Sequence, residues 1–302
     1  MTGGADASRG TNHAAPRADA AQAPIGRLAP TPSGRLHLGN VVAFGAAWLH
    51  ARAAGGSVLL RIEDVDIGRA RADLADGLRE DLRWLGLTWD REVQPQRDRA
   101  YDDVLERVRP HLYACTCTRT QWRGSYPGIC RDLARTSGAL RLRLPAGSVS
   151  FVDLARGPQA FDPNALGDPV LRRRDGVYTY TLAVVADDLR DGVTEVVRGS
   201  DLLDATTQQI RLYEALNAPP PFWLHTPMLV DVNGRKLGKS HGSRSIQAMR
   251  AAGWTPEAIW RLALPWLGIA QGHHLHDAVR VFRAEALPPG PIPVTIPEEA
   301  PP

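Results

Sequence analysis

The spacing of apolar residues predicts that strands and helices alternate in the N-terminal third of the chain. Residues 25–29 form a short apolar run that predicts a buried strand, and SVLLRI at 57–62 predicts a second one. Between the two strands, apolar residues recur at helical spacing: Val41, Val42, Phe44, Trp48 and Leu49. This order of strand, helix and strand predicts two parallel strands joined by a right-handed crossover.

The same kind of spacing indicates two further helices. The first is closed by Gly86 and carries leucines at intervals of four, four and three residues: Leu74, Leu78, Leu82 and Leu85. The second begins near the C-terminus, where Thr255 can cap the first turn and Pro256 fits its first position. Strands and helices together predict an α/β protein.

The composition is that of a globular protein with a sizeable core. The 302 residues are 43% hydrophobic and 23% charged, and the net charge is +3 with a pI of about 8.9. This mildly basic balance permits a nucleic-acid partner without requiring one. No apolar run reaches the length needed to span a membrane, so we expect no membrane association.

Both ends of the chain have the composition of loose segments. Residues 1–24 contain few large apolar residues and no hydrophobic core of a secretory signal, so we expect a disordered tail and a cytoplasmic protein. A transit peptide is the alternative, although Asp6 and Asp19 argue against it. The proline-rich residues 286–302 predict a second loose tail.

The turn between the first strand and the first helix has the features of a phosphate site. Pro30 and Pro32 end the strand, and the helix that follows presents free backbone N–H groups and the positive end of its dipole. His37 adds a donor, and Gly39 lets the backbone approach a phosphate closely. A His-x-Gly triplet is weak evidence by itself, because an ordinary turn with a solvated histidine has the same pattern.

Charged residues also follow the strands. Glu63, Asp64 and Asp66 come after the second predicted strand, at the end where parallel sheets bind ligands; a solvated acidic turn is the alternative. Arg198 ends a strand predicted at 193–198, where a guanidinium could grip a carboxylate in a bidentate fork, or form a structural ion pair. The arginine triplet at 172–174 is either a phosphate patch or a solvated turn.

All three cysteines of the chain lie within residues 115–130, which we call the cysteine loop. A Cys-x-Cys pair followed by a third cysteine, in a segment with few apolar residues, is typical of a zinc loop. The three thiolates would be ligands: Cys115, Cys117 and Cys130. For the fourth position of a tetrahedral zinc, His111 and Tyr126 are both candidates. Three thiols packed as small apolar residues are the alternative to a metal.

A basic run, RKLGKS, occupies residues 235–240. Its last three letters suggest a P-loop, but that motif needs a glycine five residues before Gly238, where the chain has Asn233. A P-loop is therefore excluded. Taken alone, the run could be an ordinary basic turn.

Taken in order, these features resemble the motifs of class I aminoacyl-tRNA synthetases, in the form found in the glutamate and glutamine enzymes. APTPSGRLHLGN resembles the HIGH motif with Asn40 at its fourth position, and RIED, the cysteine loop, YTLAVVADD and VVRG follow as in that family. KLGKS resembles the KMSKS loop, from which it departs at Gly238. The resemblance covers residues 25–267.

The family resemblance implies a fold and a division of the chain. The fold would be a Rossmann-type doubly wound parallel sheet, split by a zinc-bearing insertion and followed by a short helical segment. The segments would be the first half of the catalytic domain at 25–109, the insertion at 110–165, the second half at 166–232, and the KMSKS-like loop with the helical segment at 233–285.

The resemblance also implies roles for single residues. L-Glutamate would be bound by Arg27, Leu28, Ala29, Pro30, Thr31, Glu63, Tyr180 and Arg198, although Tyr180 could instead be a packed core tyrosine. ATP would be bound by His37, Gly39, Asn40, Lys236 and Lys239, with His37 and Lys239 as the catalytic residues. Zinc would be bound by Cys115, Cys117, Tyr126 and Cys130.

The implied reaction is activation of L-glutamate by ATP with Mg²⁺ to give glutamyl-adenylate. Only 34 residues follow Gly268, too few for the C-terminal anticodon-binding region of the long glutamyl-tRNA synthetases. We therefore expect a short, monomeric paralogue that transfers glutamate to queuosine in the anticodon loop of tRNA(Asp). The alternatives are a truncated synthetase that charges a tRNA 3′ end and a zinc-stabilised RNA-binding protein that has lost catalysis.

Overall fold

Parallel strands from both halves of the chain form the central sheet. A computed structural model describes residues 11–13, 23–66, 68, 71–237, 244–270, 272 and 274–297, without the side chains of 11–13, 72 and 119. The strands are β1 (Thr11–His13), β2 (Ile25–Leu28), β3 (Ser57–Leu60), β4 (Arg91–Glu92), β5 (Leu112–Cys115), β6 (Ala139–Leu142), β7 (Val149–Asp153), β8 (Gly157–Phe161), β9 (Val170–Arg172), β10 (Glu195–Gly199), β11 (Phe222–Thr226), β12 (Leu229–Val230) and β13 (Ile292–Pro293). The helices are α1 (Leu38–Ala53), α2 (Ala72–Trp84), α3 (Asp102–Arg107), α4 (Tyr180–Asp191), α5 (Ala205–Ala215), α6 (Ile246–Ala251), α7 (Pro256–Ala263) and α8 (Leu275–Ala278).

The two halves of the catalytic sheet meet between β2 and β10. Strands β2, β3 and β4 are parallel to one another in that order, and β10, β11 and β7 are also parallel. The amide of Thr194, just before β10, donates to the carbonyl oxygen of Ile25 in β2 at 3.0 Å. The predicted parallel α/β arrangement is therefore confirmed for these strands.

The insertion contributes antiparallel strands, which make the sheets mixed. β5 pairs antiparallel with β6, and β6 pairs with β9. β9 lies beyond residue 165, where the insertion was expected to end. β7, which lies inside the expected insertion, joins the catalytic sheet by pairing with β11 and forms an antiparallel hairpin with β8.

Local sequence signals account for the ends of several helices. The turn at Gly86, with φ of +78°, follows the end of α2 as its leucine spacing predicts. The Thr255 side chain accepts a hydrogen bond from the Ala258 amide at 3.2 Å and caps α7, with Pro256 in the first turn. Within the described residues, the structure contains no helix with both the length and the apolar character needed for a membrane span.

The C-terminal helical segment packs on the catalytic domain through one shared core. The Trp260 side chain in α7 is buried against α1, and its Nε1 donates to the carbonyl oxygen of Leu85 at 2.8 Å. Residues 292–293 form β13 beside β12, and Leu287 is buried. This part of the expected C-terminal tail is therefore packed, because its apolar side chains cover the core.

A strand also occurs within the N-terminal segment that was expected to be disordered. Residues 11–13 form β1, which pairs in parallel with β7 from Val149 to Phe151. The expectation of disorder does not hold for these three residues, because β7 offers them an edge with unpaired backbone groups.

A buried carboxyl group on α2 makes the stability of the fold depend on pH. Asp81 is 3% exposed, and its Oδ2 has no hydrogen-bond partner among the described residues. Burial raises the pKa of Asp81 to about 6. Because this pKa lies above that of an exposed aspartate, the folded protein binds the proton of Asp81 more tightly than the unfolded chain does. The free energy of unfolding therefore falls as the pH rises through about 6.

Asp81→Asn should therefore raise the melting temperature above pH 7 and leave it unchanged near pH 4, where both side chains are neutral. We expect roughly 2–4 °C, the shift given by about 1 kcal/mol in a protein of this size. Thermal unfolding of both proteins across this pH range is the measurement. Asp76→Asn is the control, since Asp76 is 89% exposed on the same helix. Equal pH profiles for wild type and Asp81→Asn would contradict the assignment.

Candidate active site

A cavity of about 420 Å³, the central cavity, lies where the catalytic strands end. Its walls come from the turn after β2, from Glu63 in the segment that follows β3, from the end of β10 and from the start of α4. Most residues predicted to bind glutamate or ATP line it: Arg27, Ala29, Pro30, Thr31, His37, Asn40, Glu63, Tyr180 and Arg198. Ligands bind at this end of open parallel sheets, where the strand order reverses.

Three predicted residues lie elsewhere and one is not described. Leu28 is completely buried in the core, and Gly39 is not part of the cavity wall. Lys236 is exposed, and its Nζ is 2.5 Å from Asp201 Oδ2, just beyond the end of β10. Lys239 lies outside the described residues.

The guanidinium of Arg198 lies on the wall of the central cavity and is buried, and no carboxylate among the described residues is hydrogen-bonded to it. It donates from Nη1 to Gln209 Oε1 at 2.8 Å and to Tyr180 Oη at 3.3 Å, and from Nη2 to Thr206 Oγ1 at 2.8 Å. All of its hydrogen-bond partners among the described residues are neutral. Burial lowers the pKa of Arg198 because the charged form is poorly solvated there. A buried cation with neutral neighbours is suited to a ligand carboxylate.

His225 orients this arginine from behind. Its Nδ1 is 2.6 Å from Asp153 Oδ2, and its Nε2 is 3.1 Å from Arg198 Nε. Burial lowers the pKa of His225 to about 4, so the ring is neutral. The Asp153 contact holds the proton on Nδ1 and leaves Nε2 as the acceptor for Arg198.

Sequence reasoning missed His225, Asp153, Thr206 and Gln209. One signal was available, because His225 and Thr226 interrupt the otherwise apolar strand β11, and both are buried. Similarly, Thr206 and Gln209 are polar residues on a helix that buries most of its surface. Buried polar side chains need partners, but the sequence does not say which.

A buried charge network surrounds Glu63 on the opposite wall. Arg61 Nη2 donates to Glu63 Oε1 at 3.2 Å and to Asp188 Oδ1 at 2.6 Å, and Arg27 Nε lies 3.4 Å from the same oxygen of Asp188. Burial raises the pKa of Glu63, and the charges of Arg61 and Arg27 oppose this shift. The two arginines therefore oppose protonation of Glu63, whose oxygen atoms can accept hydrogen bonds from an ammonium group.

The turn before α1 places His37 at the cavity wall. His37 is the N-cap residue of α1, and its amide donates to Asn40 Oδ1 at 3.1 Å. A Cβ on Gly39 would lie 2.9 Å from Cε1 of the His37 ring, so a larger residue would displace the imidazole. Gly39 thus makes room for His37, a role that the sequence did not indicate.

The described residues on either side of Lys239 contact elements that lie next to the central cavity. Before it, Lys236 forms the ion pair with Asp201. After it, Ser245 forms a β-bridge with His37, and the Ile246 amide donates to the Leu36 carbonyl oxygen at 2.8 Å. The residues that follow the KLGKS segment therefore lie beside the HIGH-like segment.

The cysteine loop brings its three thiols together. The sulfur atoms of Cys115, Cys117 and Cys130 lie within 4.8 Å of one another, a separation that a tetrahedral metal could bridge. Burial opposes ionisation of Cys130, but hydrogen bonds from the Thr116 backbone and the neighbouring thiol lower its pKa to about 6. A thiol that ionises readily is suited to binding a metal.

Tyr126 is the better placed candidate for a fourth ligand. Its hydroxyl oxygen lies 3.4 Å from Cys115 Sγ and accepts a hydrogen bond from the Cys130 amide at 2.8 Å. His111 is exposed and does not belong to the thiol cluster. The donor set therefore fits a metal with three thiolates and one oxygen.

Comparison with known proteins agrees with this geometry. Residues 25–124 and 131–281 match the family described as tRNA synthetases class I (E and Q), catalytic domain. The chain is 45% identical over 269 residues to a glutamyl-Q tRNA(Asp) synthetase of Symbiobacterium thermophilum, covering 78% of this chain and 83% of that protein. It is 43% identical over 284 residues to a glutamyl-Q tRNA(Asp) synthetase of Pseudomonas aeruginosa, covering 87% and 97%.

Solved structures show the same fold at lower sequence identity. A glutamate–tRNA synthetase from Elizabethkingia anophelis has a TM-score of 0.80 at 23% identity, over 91% of this chain and 68% of that chain. A glutamate tRNA ligase from Elizabethkingia meningosepticum has a TM-score of 0.77 at 24% identity, over 88% of this chain and 66% of that chain, just under two thirds of its length. On its sequence and its fold, the chain belongs to the class I tRNA synthetases (E and Q), a family of ligases, and contains their catalytic domain.

Proposed function

We propose that this enzyme activates L-glutamate with ATP and transfers it to queuosine in the anticodon loop of tRNA(Asp). The observation that carries the amino-acid assignment is Arg198, a buried guanidinium that lines the cavity and whose hydrogen-bond partners among the described residues are all neutral. A side-chain carboxylate in the cavity would supply the missing negative charge. The neutral amide of glutamine would leave the cation uncompensated, so the site favours glutamate.

The other walls orient glutamate for reaction. Glu63 faces the α-ammonium group, and Arg27, whose Nη1 is fixed by the Val197 carbonyl oxygen at 3.1 Å, approaches the α-carboxylate. An oxygen of that carboxylate attacks the α-phosphorus of ATP, and the bond to the pyrophosphate oxygen breaks. Glutamyl-adenylate and pyrophosphate are the products.

Charge on the phosphates would be stabilised at the turn before α1. His37 and the free N–H groups of the α1 N-terminus face them, and Mg²⁺ bound with ATP would supply further positive charge. We assign Lys239 to the leaving phosphates, because the segment that holds it is attached at His37 and Asp201. These substrates are cytoplasmic, so we place the enzyme in the cytoplasm.

The acceptor assignment is supported by similarity. The P. aeruginosa relative, a glutamyl-Q tRNA(Asp) synthetase, is matched over 97% of its length at 43% identity. At that identity over nearly the whole relative, we infer the same acceptor for this chain. Intact Arg27, Glu63, Arg198 and His37 around one cavity support an active enzyme over an RNA-binding protein without catalysis.

We also propose that the cysteine loop binds one structural zinc. Cys115, Cys117 and Cys130 would be thiolate ligands, and Tyr126 would complete the tetrahedron. The cluster they form includes few other apolar side chains. Metal binding would therefore contribute much of the folding free energy of this loop.

Arg198→Ala should abolish most glutamate-dependent ATP–pyrophosphate exchange. Loss of a buried, charge-assisted contact should cost about 2–5 kcal/mol, or roughly 30- to 4,000-fold in kcat/KM. Arg190→Ala, at a partly exposed arginine paired with Asp103, is the control and should exchange normally. Wild-type exchange should be faster with glutamate than with glutamine. The reverse preference would contradict the substrate assignment.

Metal analysis of untagged protein should find one zinc per chain, and Cys117→Ser should lose it together with thermal stability. Tyr126→Phe and His111→Ala separate the two candidates for the fourth ligand. We expect lower zinc retention during dialysis against a chelator for Tyr126→Phe and wild-type retention for His111→Ala, since His111 lies outside the thiol cluster. Equal retention in all three proteins would remove Tyr126 from the ligand set.

The acceptor is tested with minimal RNAs, labelled glutamate and ATP. An anticodon stem-loop of tRNA(Asp) that contains queuosine should accept label, and the same stem-loop with guanosine should not. The wild-type enzyme with full-length tRNA(Glu) is the comparison. Label on the 3′-terminal adenosine of tRNA(Glu) would replace our proposal with a synthetase that charges the tRNA end.

A further inference from the structure

A second cavity, the insertion cavity, has a volume of about 620 Å³ and lies between the cysteine loop and the turn after β9. Trp122 from the cysteine loop and Arg141 from β6 form part of its wall. Arg173 and Arg174, from the arginine triplet of the β9 turn, form another part. Among the described residues of the wall Asp175 is the only carboxylate, so the cavity has a positive lining.

The insertion cavity is a close neighbour of the central cavity. Val170, on its wall, accepts a hydrogen bond through its carbonyl oxygen from Thr179 Oγ1 at 2.6 Å, and Thr179 immediately precedes Tyr180 of the central cavity. Arg173 Nη1 lies 3.4 Å from Asp66 Oδ2, three residues after Glu63. Three residues span at most about 10 Å, so a ligand that extends from one cavity can reach the other.

Arg141 has a hydrogen-bonding group that no atom of the described residues satisfies. The residue is only 9% exposed, and its Nη1 donates to the Asp168 carbonyl oxygen at 2.6 Å. Its Nε is buried without a partner among the described residues. The guanidinium carbon also lies 3.8 Å from the centre of the Tyr126 ring, so one face of the group is covered by protein. Arg141 is therefore a largely buried cation on the cavity wall whose hydrogen-bonding capacity the described protein atoms do not fully use.

The side chains around Arg141 are of the kinds that hold nucleotides. The Trp122 ring is half-buried, 5.0 Å from the Tyr126 ring at an angle of 70°, and the Arg141 guanidinium lies 5.8 Å from its centre. Unpaired bases stack on aromatic rings and on guanidinium planes, and their edges supply hydrogen-bond acceptors. Arg173 and Arg174 are exposed, as phosphate contacts need to be.

We propose that the insertion cavity binds one unpaired nucleotide of the RNA substrate, next to the nucleotide that receives glutamate. The base lies against Trp122 and Arg141, and its phosphate contacts Arg173 and Arg174. This inference rests on the proposed RNA substrate, since a chain of nucleotides is what would connect the two cavities. It also assigns phosphate contacts to two residues of the arginine triplet, Arg173 and Arg174.

The test combines protein and RNA changes. The RNA is the queuosine-containing anticodon stem-loop of tRNA(Asp), with each unpaired nucleotide other than queuosine made abasic in turn. For wild type, one abasic position should weaken binding by roughly 5- to 100-fold, the usual range for one stacked base. With Trp122→Ala, the intact RNA should bind that much more weakly, and the abasic change at that position should have no further effect.

Arg174→Gln tests the phosphate contact. It should weaken binding of every RNA by a similar factor. The slope of the logarithm of the binding constant against the logarithm of the salt concentration should fall by the amount expected for about one phosphate contact. Arg143→Gln is the matched control, because Arg143 is an exposed arginine of the insertion that pairs with Asp132 and does not line the cavity. The control should keep the wild-type salt dependence.

Zinc content and RNA-independent ATP–pyrophosphate exchange show that each variant is folded. If Trp122→Ala loses zinc, Trp122→Leu takes its place, since leucine fills space without a ring. Unchanged RNA affinity in the folded variant would overturn the inference. It would also be overturned if, at every RNA position, the loss of affinity from the abasic change and the loss from the Trp122 substitution were simply additive. Wild type that transfers no glutamate to the stem-loop would instead overturn the proposed function.

Discussion

The buried charge network around Arg61 is the constraint on which the active site depends. Arg61 is completely buried on the first half of the catalytic domain, and two of its three carboxylate partners, Asp188 and Asp191, lie on α4 in the second half. The insertion separates these halves in sequence. Because removal of one member would leave an uncompensated buried charge, the network strongly favours one arrangement of the halves. Glu63, its third partner, then faces the central cavity at a defined place.

The contrast between the buried arginines is the basis of the proposed recognition of glutamate. Arg61 is neutralised by carboxylates of the protein, whereas Arg198 is held by uncharged groups. The neutral state of His225 matters here, because a protonated ring would repel Arg198 and could not accept its hydrogen bond. Asp153 thus contacts His225, which in turn contacts Arg198. The carboxylate orients the arginine through the histidine ring and does not pair with the guanidinium directly.

Local signals in the sequence predicted the parts of the structure that depend on local interactions. The strand–turn–helix at His37, the cap at Thr255 and the cluster of three cysteines follow from residues close together in the chain. The support of Arg198 joins residues far apart, since Asp153 and His225 are separated by 72 positions. The spacing of apolar residues along the chain does not indicate which distant residues come into contact. For the same reason, the packing of residues 287–294 against the core was not predicted.

The cysteine loop is connected to Arg198 of the central cavity by a short series of contacts. Tyr126 forms a parallel β-bridge with Gly167, whose carbonyl oxygen accepts a hydrogen bond from Gln208 Nε2 at 2.6 Å. Gln208 is buried on α5, beside Gln209, which contacts Arg198. A metal held by the thiols and Tyr126 would therefore stabilise the helix that orients Arg198. The insertion would then contribute to amino-acid activation as well as to contact with RNA.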